Sequence, residues 1–209
     1  MLGLLAGWPG AAWGLTPEEV ITKVQRQYDR TGAFQAHFRQ ESKLPAESGV
    51  ESAEGLVYFQ KPSRMRWLYE TPPEQKKEVV TDGIKVWIYL PQEHLVTVYA
   101  LKAVMRSDLV MRFFSGIGQL SREFTLAWKR PPEGGGPLVI DLTPKNPQPE
   151  LTRLTLTINP QTYLVEKLEF TNQAREEIRY AFSRVRLEVK FKTGFFSFTP
   201  PPGVQVVEQ

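Results

Sequence analysis

The sequence predicts a mainly β chain: an incomplete or closed antiparallel barrel of about eleven strands, with an N-terminal helix and a central helical insertion. Three observations carry this expectation. Apolar residues alternate with period two along most of the chain, turn-forming Pro, Gly and Asp separate the runs, and only two segments switch to helical spacing. A long antiparallel meander twists, and a twisted sheet of this size curls or closes instead of lying flat. No period of 20 to 50 residues recurs, which argues against a propeller or solenoid.

The elements follow in order. MLGLLAGWPGAAWG at 1–14 is apolar and uncharged, with Ala12 and Gly14 where a signal peptidase expects small residues. It reads as a signal-peptide remnant, and 15–209 as a single domain starting near Leu15. The run falls short of the about 20 residues that span a bilayer, and with no cysteine behind it no lipid anchor is expected there. Thr16-Pro17-Glu18-Glu19 then supplies an N-cap, a proline at the first helical position and a capping-box acid. Val20, Ile21, Val24 and Tyr28 share one face of the helix, which is expected to end near Gly32.

From there the period is two. FQAHFRQ alternates around Phe34, Ala36 and Phe38; LVYFQ leads into a turn at Pro62-Ser63; MRWLY sets Met65, Trp67 and Tyr69 on one side. EVVT and IKVWIYL flank Asp82-Gly83, a hairpin signal in which Gly supplies the positive φ of a two-residue turn. The second of these strands presents either Val86 and Ile88 to the concave face or, shifted by one residue, Trp87 and Tyr89. HLVTVY is the next strand. SDLVMRFFSGIGQL breaks the rhythm: a Ser107 or Asp108 cap, Leu109, Val110, Phe113, Phe114 and Ile117 at helical spacing, and Gly116 and Gly118 as helix ends. Strands resume at FTLAWK, PLVIDLTP, LTRLTLTI, TYLVEKLEF and REEIRYAFSRVRLEV.

Polar chemistry is sparse. The 26 Lys and Arg exceed the 23 Asp and Glu by three and are scattered, which disfavours a nucleic-acid partner. The absence of cysteine excludes disulfides, thiol nucleophiles and thiolate metal sites. The two histidines, His37 and His94, lie on separate strands, and no HExxH, GxSxG or P-loop pattern occurs. Gly116-x-Gly118 lacks the third glycine and the βαβ context of a dinucleotide site. Asp82 reads as a turn former, and Asp141 has no carboxylate partner nearby in sequence. No enzyme, catalytic residue, metal or cofactor is expected.

The aromatic residues say more: Trp67, Trp87, Tyr89, Phe113, Phe114, Trp128, Phe195, Phe196 and Phe198 are mostly accounted for as barrel core, yet a barrel of this width can also hold a ligand. The helical insertion with Leu109, Phe113 and Phe114 suits either a movable lid or a fixed plug.

Five motifs in order, FRQ at 38–40, EGLVYFQKPSRMRW at 54–67, PP at 72–73, VTDGIKVWIYLP at 80–91 and FFSFTPPPGVQVV at 195–207, resemble the LolA family of periplasmic outer-membrane lipoprotein carriers. The resemblance implies an unclosed barrel whose apolar cavity takes lipoprotein acyl chains, lined by Met65, Trp67, Tyr69, Val86 and Ile88. It implies a lid of Leu109, Phe113, Phe114 and Ile117. The partners it implies are acylated lipoproteins, an inner-membrane ABC lipoprotein-releasing transporter and an outer-membrane acceptor, with the carrier itself a monomer in the periplasm. The family commonly has an arginine before the turn proline that latches the lid; Lys61 stands there, keeping the charge without the planar fork. Met65 replaces a common aromatic and keeps an apolar contact. The alternative implied by the same barrel is a lipid- or glycolipid-binding or envelope-stress-sensing protein.

Overall fold

The computed structural model describes residues 14–43, 49–107, 113–114, 120–147 and 149–209. The probable signal segment and the lid positions Leu109 and Ile117 lie outside the described residues. So do Asp108, Val110, Gly116 and Gly118.

Helix α1 (Pro17–Arg30) precedes six strands, β1 (Ala33–Lys43), β2 (Glu51–Gln60), β3 (Arg64–Thr71), β4 (Lys77–Thr81), β5 (Lys85–Leu90) and β6 (Leu95–Ala100). Helix α2 (Leu101–Ser107) and the single turn α3 (Leu120–Glu123) follow. The chain then forms β7 (Phe124–Trp128), β8 (Leu138–Pro144), β9 (Arg153–Ile158), β10 (Val165–Thr171), β11 (Glu177–Leu187) and β12 (Gln205–Glu208). All twelve strands form one open sheet in the order β12-β6-β5-β4-β3-β2-β1-β11-β10-β9-β8-β7. Two sequential meanders, β1 to β6 and β7 to β11, are joined where β1 pairs with β11.

Helix α1 begins as its sequence dictates. The Glu19 amide donates to the Thr16 hydroxyl, the Thr16 amide donates to the Glu19 carboxylate, and Pro17 occupies the first turn. Val20, Ile21 and Val24 are buried in the core. Gly55 sits where the β2–β3 register shifts: a Cβ there would lie 1.8 Å from the Leu68 carbonyl oxygen, so only glycine lets the strands approach.

The expectation of about eleven strands is met by twelve among the described residues, the C-terminal Gln205–Glu208 returning as an edge strand that pairs with β6 in parallel. Two expectations are corrected. The Asp82-Gly83 connection is wider than a two-residue hairpin, since Thr81 pairs with Val86. Gly83 has φ +99° as the motif requires, but the Asp82 carboxylate accepts from the amides of both Ile84 and Lys85, and this side-chain turn absorbs two further residues. Helix α2 follows β6 directly from Leu101 and ends at Ser107, and most of the helix expected between there and Gly118, with its Asp108 cap, lies outside the described residues. The second correction is that much of the aromatic content lies outside the barrel core, on the opposite face of the sheet.

That opposite, convex face carries a second packed layer. Val80, Val96 and Val98 are buried yet do not belong to the main core cluster, and they share this layer with Phe196. The segment 188–204 straps across it. Phe195 meets the Tyr58 ring at 5.0 Å, Phe198 meets Tyr89 at 5.7 Å, and Arg66 donates to the Phe195 carbonyl at 2.8 Å while pairing with Glu78 at 2.6 Å. Tyr89, Phe195, Phe196 and Phe198 therefore hold the strap to the sheet.

Candidate functional site

The concave face is lined by alternate residues of the central strands. On β3, Met65, Trp67 and Tyr69 are 1%, 5% and 8% exposed and belong to the main core cluster, while Arg64, Arg66 and Leu68 point the other way. Antiparallel register carries the same face onto the neighbours: Met65 opposes Thr81 and Trp67 opposes Val79, which in turn oppose Val86 and Ile88. Val86 is buried in the core cluster and Ile88 packs against it. The alternation on β5 thus resolves with Val86 and Ile88 concave and Trp87 and Tyr89 convex.

The rings on this face form an unbroken path. From Phe114 it runs to Phe182 (5.3 Å between centroids), Tyr180 (6.3 Å), Trp67 (5.8 Å), Phe38 (4.9 Å) and Tyr69 (4.9 Å). Each contact is within the range at which aromatic pairs attract beyond simple burial. Phe38, Tyr180 and Phe182 were not among the residues singled out for the cavity. Phe38 is legible from the FQAHFRQ alternation, but Tyr180 and Phe182 enter only because β11 pairs with β1, with Phe38 opposite Phe182.

One end of this trough is closed by helices. Phe113 and Phe114 have helical backbone; Phe114 is 3% exposed, and both rings pack on Tyr28 at 5.5 and 5.8 Å. The Tyr28 hydroxyl accepts from the Val165 amide at 3.2 Å, and burial pushes its pKa above the ordinary phenol range. Lys61 lies at this end. Its ammonium donates to the Asp29 carbonyl at the C-terminus of α1, where the helix dipole favours a cation. The residue in the family's latch position therefore holds α1, which carries Tyr28 against Phe113 and Phe114. Arg66, bound to the strap on the convex face, is turned away from this end, and Arg64 is exposed.

The other end is polar. The Tyr69 hydroxyl donates to Gln40 Oε1 at 2.9 Å, and Gln40 Nε2 donates to Ser42 Oγ at 3.1 Å. The Lys77 ammonium lies 4.3 Å from the centre of the Tyr69 ring, and desolvation lowers its pKa. Among the described residues no group of three His, Asp or Glu gathers as metal ligands would. His37 lies on β1 opposite Leu56 of β2; His94, expected on a strand, instead takes a left-handed turn conformation just before β6; and Asp141 accepts from the Thr155 hydroxyl across the β8–β9 pair. Each of these polar residues has a structural place.

Comparison with known proteins agrees with this architecture. The family model described as outer membrane lipoprotein carrier protein LolA matches residues 29–199. The chain is 25% identical over 207 residues to the outer-membrane lipoprotein carrier protein of Methylobacillus flagellatus, covering 99% of this chain and 95% of that one. It is also 25% identical over 193 residues to the protein of the same name from Alkalilimnicola ehrlichii, covering 91% and 86%. Among solved structures, an uncharacterized conserved protein from Thermus thermophilus aligns with TM-score 0.58 at 13% identity, over 92% of this chain and 98% of that one. Lipoprotein LppX of Mycobacterium tuberculosis aligns with TM-score 0.54 at 13% identity, over 84% and 97%. These two share the open-sheet fold. With the family model running from the end of α1 through the trough strands to the strap, this chain belongs to the LolA family of outer-membrane lipoprotein carrier proteins.

Proposed function

We propose that this protein is a periplasmic carrier that takes the acyl chains of lipoproteins into its concave trough and moves them from the inner to the outer membrane. The observation that carries the reading is the ring path from Phe114 to Tyr69, an extended apolar surface on the inner face of an open sheet. Each CH₂ withdrawn from water gains about 0.8 kcal/mol, so several acyl chains cannot cross an aqueous compartment unaided. The trough needs only to match the membrane interior. A carrier that bound much more tightly could not release its cargo.

Met65, Trp67, Tyr69, Val86 and Ile88 contribute the acyl-contacting surface in this reading, and Phe113 and Phe114 belong to the lid. Because Met65 and Trp67 are almost fully covered by the protein's own side chains, entry requires the Phe113–Phe114 segment and α1 to move off the trough. Lys61 acts as the latch by holding the end of α1. Loading comes from an inner-membrane ABC lipoprotein-releasing transporter and delivery goes to an outer-membrane acceptor.

The test is a release assay: inner-membrane vesicles bearing an acylated lipoprotein are incubated with ATP, with and without this protein, and the soluble fraction is probed for cargo. Release that depends on the protein supports the reading. Equal release in its absence, or co-purification of lipids without acylated peptide, overturns it.

A further inference from the structure

The polar end of the trough holds a cation with no acceptor among the described residues. Among the described residues whose burial is known, four cations are half-buried: Lys23, Lys61, Arg66 and Lys77. Three of them reach an oxygen. Lys23 donates to the Tyr163 hydroxyl at 3.0 Å, Lys61 to the Asp29 carbonyl, and Arg66 donates to the Phe195 carbonyl and forms an ion pair with Glu78. Among the described residues the Lys77 ammonium makes only its contact with the face of Tyr69.

Its position is set by register. Lys77 opposes Tyr69 across the β3–β4 pair, so both face the trough at its polar end. There Lys77, Gln40 and Ser42 line a solvent-open recess of about 450 Å³ that begins where the aromatic path stops. A half-buried ammonium loses part of its hydration, and the face of one ring makes up only a small part of that loss. The recess also borders Glu51, Glu74, Glu93 and Lys76, all exposed. None of these carboxylates pairs with Lys77, and the high dielectric of the surrounding water reduces their repulsion of a bound anion.

We propose that this recess binds an oxyanion, a phosphate or a carboxylate, attached to an acyl chain lying in the trough, with the Lys77 ammonium as its principal donor. The inference rests on the trough being an acyl site and adds that the site selects the head of its ligand as well as the tail. The ligand class is thus an anionic amphiphile. Bound this way, its chain runs along Tyr69, Phe38 and Trp67 toward the helices.

The experiment is calorimetric titration of the purified protein with three twelve-carbon probes below their micelle concentrations: monolaurin (neutral), laurate (carboxylate) and monododecyl phosphate. In the wild type, one or both anionic probes should bind about tenfold more tightly than monolaurin, as expected for a charge-assisted hydrogen bond. Preference for one anion alone assigns that source of the oxyanion. In Lys77→Gln, laurate and dodecyl phosphate should fall to the affinity of monolaurin, whereas Lys77→Arg should keep the preference. If monolaurin binds but the wild type shows no anion preference, or if the preference survives Lys77→Gln, the oxyanion site is wrong and the acyl trough stands. If none of the probes binds, both readings fall.

Discussion

Lys77 shows how one position can be costly for stability and useful for binding. Its pKa in the folded protein is lowered by desolvation, whereas in the unfolded chain it titrates near about 10.4. Between the two values the unfolded state binds more protons, so the penalty is fully present below the folded pKa and is relieved as pH rises through the unfolded one. Measured against Lys77→Met, the wild type should therefore gain relative stability as pH rises toward the unfolded value of about 10.4. Chemical denaturation at several pH values checks this, and a stability difference that stays constant over the range would refute the desolvated position. Met65 and Trp67 are simpler. They face the core by strand alternation alone, and that is why their side was legible from MRWLY.

At the scale of elements, two local devices keep the sheet together. The β2–β3 pair depends on Gly55, whose Cβ would collide with the backbone at Leu68 and lie 3.2 Å from the Phe38 ring. Gly55→Ala should cost more than about 2 kcal/mol, since overpacking against a backbone atom forces the strands apart; a denaturant midpoint equal to that of the wild type would refute the close approach. The strap depends on Arg66. Arg66→Ala leaves the Phe195 carbonyl without its donor and the largely covered Glu78 carboxylate without its counter-charge, so a loss of about 2–3 kcal/mol is expected. Limited proteolysis should then cut within 188–204 before the rest of the chain. The FFSF sequence advertises aromatic content, but it carries no signal for which face of the sheet it covers.

The whole molecule is an open sheet with apolar layers on both faces, and its two halves meet at β1. Amide hydrogen exchange should be slowest in β1, β2 and β11, which are paired on both sides, and faster in the edge strands β7 and β12. An exchange profile with β7 or β12 as the most protected strand would contradict this arrangement. The proposed carrier activity belongs at this scale as well. Phe113→Glu places a charge among Tyr28 and Phe114, and it should abolish co-purification of acylated cargo while circular dichroism still reports the β fold. Undiminished co-purification would remove Phe113 from the lid.

By itself the sequence determined the elements that depend on near neighbours. The capping box starts α1, period-two alternation defines the strands and the inward side of β3, and the Asp82-Gly83 motif marks a turn. An ordered series of motifs also pointed to the family. Only the tertiary structure decided what depends on partners distant in the chain: that β11 returns to β1 and brings Tyr180 and Phe182 into the trough, that 188–204 covers the outer face, and that Lys61 holds α1. The inward side of β5 was likewise settled by its pairing with β4. The physical reason is that a strand's faces are set by its own alternation, whereas the contacts of each face are set by register with strands that the local pattern does not name. Lys77 is the sharpest case: in KEVVT it reads as an ordinary solvated lysine, and only its pairing opposite Tyr69 turns it toward the trough.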